Sequence, residues 1–120
     1  MNLDRREKHV LNELRETYNI PVAQLLGKLN SKEASVIYAE LKGDDSISCH
    51  VLSLDGFICG GVSSCSPNDK YSYAIGRMIA FADAAVNYSN NVVGRSKYHL
   101  TSKQLESIAR GNTLSSNIIE

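Results

Sequence analysis

Apolar residues recur at helical spacing over the first forty positions, and the pattern then changes to alternation. Leu3, Val10, Leu14 and Tyr18 lie at helical intervals with Leu11 beside them, and charges such as Glu7, Arg15 and Glu16 fill the remaining positions. This predicts a helix over 3–18. Pro21 permits a new start, and Val22, Leu25, Leu26 and Leu29 make a second short stripe. Asn30 is a candidate N-cap with Glu33 three positions on, a capping-box arrangement. Ala34, Ile37, Tyr38 and Leu41 then predict a third helix, stopped by Gly43. After the polar break Asp44-Asp45 the period becomes two: Ile47, Cys49, Val51 and Ser53 share one face, and Ser48, His50, Leu52 and Leu54 the other. Asp55-Gly56 is a type I′ hairpin signal, followed by a return strand from Phe57. Gly60-Gly61 interrupts that strand, which predicts a bulge or a close approach by another backbone or a ligand.

The loop Cys65-Ser66-Pro67-Asn68-Asp69 precedes the most distinctive segment, a helix over 73–88 that Asp69 or Ser72 would cap. Ile75, Met78, Ile79, Ala82, Ala85 and Val86 form its apolar side, and Gly76 and five alanines keep it thin. A thin helix can approach a sheet, or a second copy of itself, closely. Residues 89–100 read as a connector, with a short strand around Val92-Val93 as an option. Thr101 and Gln104 open a last short helix on Leu105, Ile108 and Ala109, closed by Gly111. The fold class expected is therefore α+β in one small domain over 1–120. It has a helical part over 1–43, a hairpin–helix core unit over 46–88 and a basic segment over 89–120. The antiparallel hairpin packs on the small-residue helix.

Composition adds limits. The chain has 120 residues, 42% of them apolar, and a formal charge of zero, enough for a modest core and evidence against a strong nonspecific nucleic-acid binder. The balance is uneven: 7 basic and 10 acidic residues over 1–69, 6 basic and 3 acidic over 70–120. The later part can therefore meet an anionic partner. Three cysteines without a CxxC pair, behind a polar start, predict a reducing, cytosolic setting. No apolar run is long enough to predict a membrane span.

Candidate chemistry points to binding. The hydrolase, zincin, P-loop and dinucleotide signatures are missing. His9, His50 and His99 have no ligand-like spacing, and Cys49 and His50 point to opposite faces of a strand. The expectation is a non-enzyme with no metal and no cofactor. Arg77, Arg95 and Arg110 can meet phosphates, Asn91 offers an amide, and Phe81 or Tyr71 can stack on a base. Two rival readings are a protein-binding inhibitor with an exposed apolar or tyrosine patch, and a helix-turn-helix regulator built on 21–41.

Within 55–85, the elements Gly61-Val62, Cys65, Pro67, Asp69, Tyr71, Ile75-Gly76 and Ala80 follow a pattern shared by many small phage proteins: strand, Cys-x-Pro-x-Asp, an aromatic, then Ile-Gly-x-x-x-Ala in a small-residue helix. Among them the chain most resembles the phage anti-Thoeris proteins. The resemblance covers about a quarter of the chain. It implies a sponge that sequesters a cyclic ADP-ribose-type nucleotide, or another cyclic nucleotide, without cleaving it, and so blocks a host TIR-based defence. It further implies a homo-oligomer in the host cytoplasm with pockets between subunits. From the apolar runs and the charge, no membrane partner is expected and a nucleic-acid partner is disfavoured.

Overall fold

The computed structural model describes residues 3–41, 46–64 and 73–111. The Gly43 stop, the Asp44-Asp45 break, the Cys65–Asp69 loop with its capping residues, Tyr71 and the apolar pair Ile118-Ile119 lie outside these residues. The elements run α1 (Arg5–Glu16), α2 (Ala23–Asn30), β1 (Ala34–Leu41), β2 (Ser46–Ser53), β3 (Gly56–Ser64), α3 (Tyr73–Val93) and α4 (Ser102–Arg110). The architecture is α+β: two N-terminal helices, an antiparallel sheet in the order β1-β2-β3, and two later helices.

α1 begins where Asp4 caps Glu7 N–H and Glu7 returns a bond to Asp4 N–H, so two orphan donors of the first turn are satisfied together. The helix stops at Thr17, whose N–H still bonds Glu13 C=O; Asn19 then turns left-handed and Ile20 N–H reaches back to Leu14 C=O, which occupies one more of the last turn's orphan carbonyls. Val10, Leu11 and Leu14 are buried as the stripe predicts, and so are Val22, Leu25 and Leu29 from α2.

The predicted third helix is instead strand β1. Asn30 ends α2 rather than capping a new helix, and Glu33 accepts from the Ser31 hydroxyl. Residues 34–41 carry both periods: Ala34, Ile37, Tyr38 and Leu41 fit a helix, whereas Ala34, Val36 and Tyr38 fit a strand. The run Val36-Ile37-Tyr38 is β-branched and aromatic, which suits a pleated surface, and β2 presents a ladder to be paired. Register aligns Val36 with Val51 and Tyr38 with Cys49, so the strand set faces the core. The helical part thus ends at residue 30. A helix-turn-helix over 21–41 is overturned, because its second helix is a strand.

Ser53 pairs with Gly56 around Leu54-Asp55. The turn is not type I′: Gly56 has φ 121°, while Asp55 is not left-handed. The register shift falls between Val51 and Leu52, opposite Ile58, and not at the double glycine. Gly61 serves the other predicted purpose. A Cβ there would collide with Ala84 N and Ala80 C=O, so α3 crosses β3 backbone to backbone. The alanines of α3 are what permit that contact.

α3 runs five residues beyond the predicted end, so Val92-Val93 belongs to the helix and not to a strand. Its sheet side is buried on β3 and β2, and its other side packs against α1 and α4. Phe81, Ala80, Ala82, Ala84 and Ala85 are all buried. Ser89 donates to Pro21 C=O at 2.7 Å, which ties the N-terminal helices to α3. α4 has the predicted Thr101–Gln104 capping box and the Gly111 stop. No helix among the described residues is long and apolar enough to cross a membrane.

Candidate functional site

β3 is an edge strand, and α3 seals its edge with two side chains one helical turn apart. Asp83 accepts from Val62 N–H at 3.1 Å, and Asn87 donates to Gly60 C=O at 2.7 Å. The i, i+4 spacing puts both helix side chains on one side, and the i, i+2 spacing directs both strand backbone groups to the same edge. Burial pushes the Asp83 carboxyl above its ordinary value, partly opposed by the Val62 N–H bond.

Further along α3, Asn90 is consumed by structure. Its carbonyl accepts from Lys97 and Tyr98 N–H at 2.9 and 2.7 Å, and its amide donates to Tyr98 C=O at 3.0 Å. These bonds fold the 94–100 connector back along the helix. The result is a groove of about 510 Å³ between the β3 edge, the end of α3 and the connector, lined by His50, Phe57, Asp83, Asn87, Asn91 and Ser96 among others. A second depression of about 370 Å³ shares Asp83, Asn87, Asn90 and Ser96 and continues to Tyr98 and His99. Phe57 is 64% exposed, and His50 meets its ring edge-on at 6.2 Å. Arg95 and Lys97 flank Ser96 in the connector, both exposed, and Lys97 Nζ lies 5.4 Å over the Tyr98 ring.

Of the sequence candidates, Asn91 lines the groove, and Arg95 precedes the groove residue Ser96 in the connector; both are exposed. The other candidates do not join them. Phe81 is fully buried in the core, so its ring is committed to packing and does not stack on a ligand of this fold. Arg77 lies fourteen residues before Asn91, about 20 Å along the helix. Its guanidinium carbon sits 4.7 Å from the Tyr38 ring centroid and 5.6 Å from that of Tyr73, and its Nε is buried with no hydrogen-bond partner among the described residues. Arg110 is paired with Glu106 at 2.7 Å at the end of α4. Tyr71 lies outside the described residues.

The residues sequence reasoning missed are His50, Phe57, Asp83, Asn87 and Ser96. One signal was available: Asp83 and Asn87 are polar positions one turn apart in the otherwise apolar stretch 78–87 of the helix. Among the described residues no group of three or more His, Cys, Asp or Glu side chains is placed to hold a metal. Cys49 and Cys59 are buried free thiols. Burial raises both, Cys59 to about 12 and Cys49 further, so they fill space as protonated thiols. No family model, curated protein or solved structure matches the chain.

Proposed function

We propose that the protein is a phage-encoded sponge. It binds a cyclic ADP-ribose-type nucleotide in the groove beside β3 and holds it without cleavage, which keeps the signal from a host TIR-based defence. The observation that carries this reading is the groove itself. Its size falls in the range of small-molecule sites, and it combines an exposed ring and the Asn91 amide with two cations, Arg95 and Lys97, on either side of its Ser96. Phe57 offers the stacking surface that Phe81 cannot. Arg95 and Lys97 would face phosphates, with Asn91 beside them. Asp83 keeps one oxygen beyond its Val62 bond, and a carboxyl suits ribose hydroxyls, not phosphates. The ribose end of the ligand therefore belongs at Asp83 and the phosphate end at the connector. The resemblance of residues 55–85 to the anti-Thoeris proteins selects this ligand class.

Calorimetry and native mass spectrometry with cyclic ADP-ribose isomers test the proposal. Tight binding is expected, with the nucleotide recovered unchanged after denaturation. Arg95→Ala and Asn91→Ala should each weaken it about tenfold, the loss of a charge-assisted or amide hydrogen bond. Absence of binding to any cyclic ADP-ribose isomer or cyclic oligonucleotide ends it, and turnover of the ligand replaces it with an enzyme. A protein-binding inhibitor is the second reading. Ile37, Leu54, Phe57 and Val62 are all at least 49% exposed, a set of apolar side chains that suits a protein partner. A stable host complex that forms without nucleotide, and is lost in Phe57→Ser, would favour it.

A further inference from the structure

The two edges of the sheet are treated differently. Gly60 C=O and Val62 N–H point away from β2, because Asn87 and Asp83 hold them. Hydrogen-bonding direction alternates along a strand, so Cys59, Gly61 and Ser63 face β2. Their partners there are Val51, Cys49 and Ile47. Ser48 and His50 consequently face β1, where they meet Ala39 and Ile37. That phase leaves the N–H and C=O of Val36 and Tyr38 directed outward from β1, and no hydrogen bond among the described residues reaches them. β1 is eight residues long, ASVIYAEL, with no proline, no lysine and no register shift against β2. These are the devices that protect edges elsewhere. One edge of the sheet is sealed by helix side chains, and the other is a bare ladder.

We propose that β1 is the docking edge for a second copy of this chain, paired antiparallel about Ile37, so that two three-stranded sheets become one of six strands. The sequence of β1 fits itself in this register. Val36 falls opposite the partner's Tyr38, Ala34 opposite the partner's Glu40, and Ser35 opposite the partner's Ala39. The outward groups of Val36 and Tyr38 then exchange both hydrogen bonds across the dyad. Glu40 is the only charge in the strand, and it meets alanine, so no like charges face each other. Ile37 meets the partner's Ile37 as a non-hydrogen-bonded pair, the closest kind, with Cα atoms about 4.5 Å apart. It is 49% exposed in the single chain, and the pairing covers it. β3 lies at each far end of the joined sheet, so both grooves stay open, and the inference stands or falls independently of the ligand.

Light scattering after size exclusion, and sedimentation, on the full chain test it. The wild type should have the mass of a dimer. Ile37→Lys, at a half-exposed position, should keep the thermal midpoint yet weaken association at least about tenfold, because like charges would face each other at the dyad. Leu54→Lys, at the hairpin tip, should leave the mass unchanged. Ile37→Cys should form an intermolecular disulfide, located by peptide mapping, because the expected separation lies within the roughly 4.4–6.8 Å disulfide range. A wild type that stays monomeric at the highest soluble concentration overturns the proposal. So does a dimer that Ile37→Lys leaves intact, or one in which Ile37→Cys does not cross-link.

Discussion

Glu7 illustrates how far a residue's type can mislead. In the sequence it is one charge among several on an amphipathic helix. In the fold it is 1% exposed, accepts from the Tyr38 hydroxyl at 2.6 Å and closes the Asp4 capping box. Burial and then the Glu7 bond push the Tyr38 phenol up from its ordinary value. The capping half of this arrangement is local and legible in the Asp4–Glu7 spacing. The tyrosine comes from a strand 31 positions away, so only the tertiary fold supplies it. Asp83 is the second polar group that the fold redefines, and its pH dependence is testable. Its folded-state value is raised, so over the window from the ordinary carboxylate value up to that raised value the native state holds more proton than the unfolded chain. Its contribution to stability is therefore lost as pH rises through that window. Urea unfolding from pH 4 to 7 should show the stability of the wild type, minus that of Asp83→Asn, falling with pH and then levelling. A difference that rises with pH would contradict the burial argument.

Among the elements, β1 shows why periodicity alone is insufficient. Its apolar positions satisfy both a 3.6 and a 2.0 repeat, and a plausible capping box precedes it. The tie is broken by the Val36-Ile37-Tyr38 run and by the presence of β2, whose second ladder needs a partner. The Gly60-Gly61 pair was more informative, because a close backbone approach was one of its expected meanings. The bulge that accompanies it lies nearby at Ile58, where no local signal marked it. Two glycine substitutions separate space from conformation. Gly61→Ala should cost about 3 kcal/mol through collision with the α3 backbone. Gly27→Ala, in α2 with nothing within 4 Å of an added Cβ, should stabilise by about 0.5–1 kcal/mol, the ordinary helix gain over glycine. Chemical denaturation of the two variants reads both signs.

For the molecule as a whole, α3 is the axis. The sheet, α1 and α4 all pack on it, and Ser89 fastens the turn before α2. Native-state hydrogen exchange should therefore find the amides of Ala80–Val86 opening only with global unfolding, while Asn91–Val93 at the exposed end exchange through local fraying. Protection confined to the hairpin would refute that central role. Much of this framework follows from the sequence: α1 and α2 from apolar stripes, the hairpin from alternation around Asp55-Gly56, α4 from its caps, and the small-residue helix with its close glycine contact. These are local features, decided within a few residues by propensity, capping and period. The tertiary structure alone decided the third strand, the length of α3, the burial of Phe81 and the separation of Arg77 and Arg110 from Asn91 and Arg95. It also decided the groove, whose members come from β2, β3, α3 and the connector. A site assembled across elements depends on which faces meet, and that choice is made by packing in the whole chain, not by any segment of it.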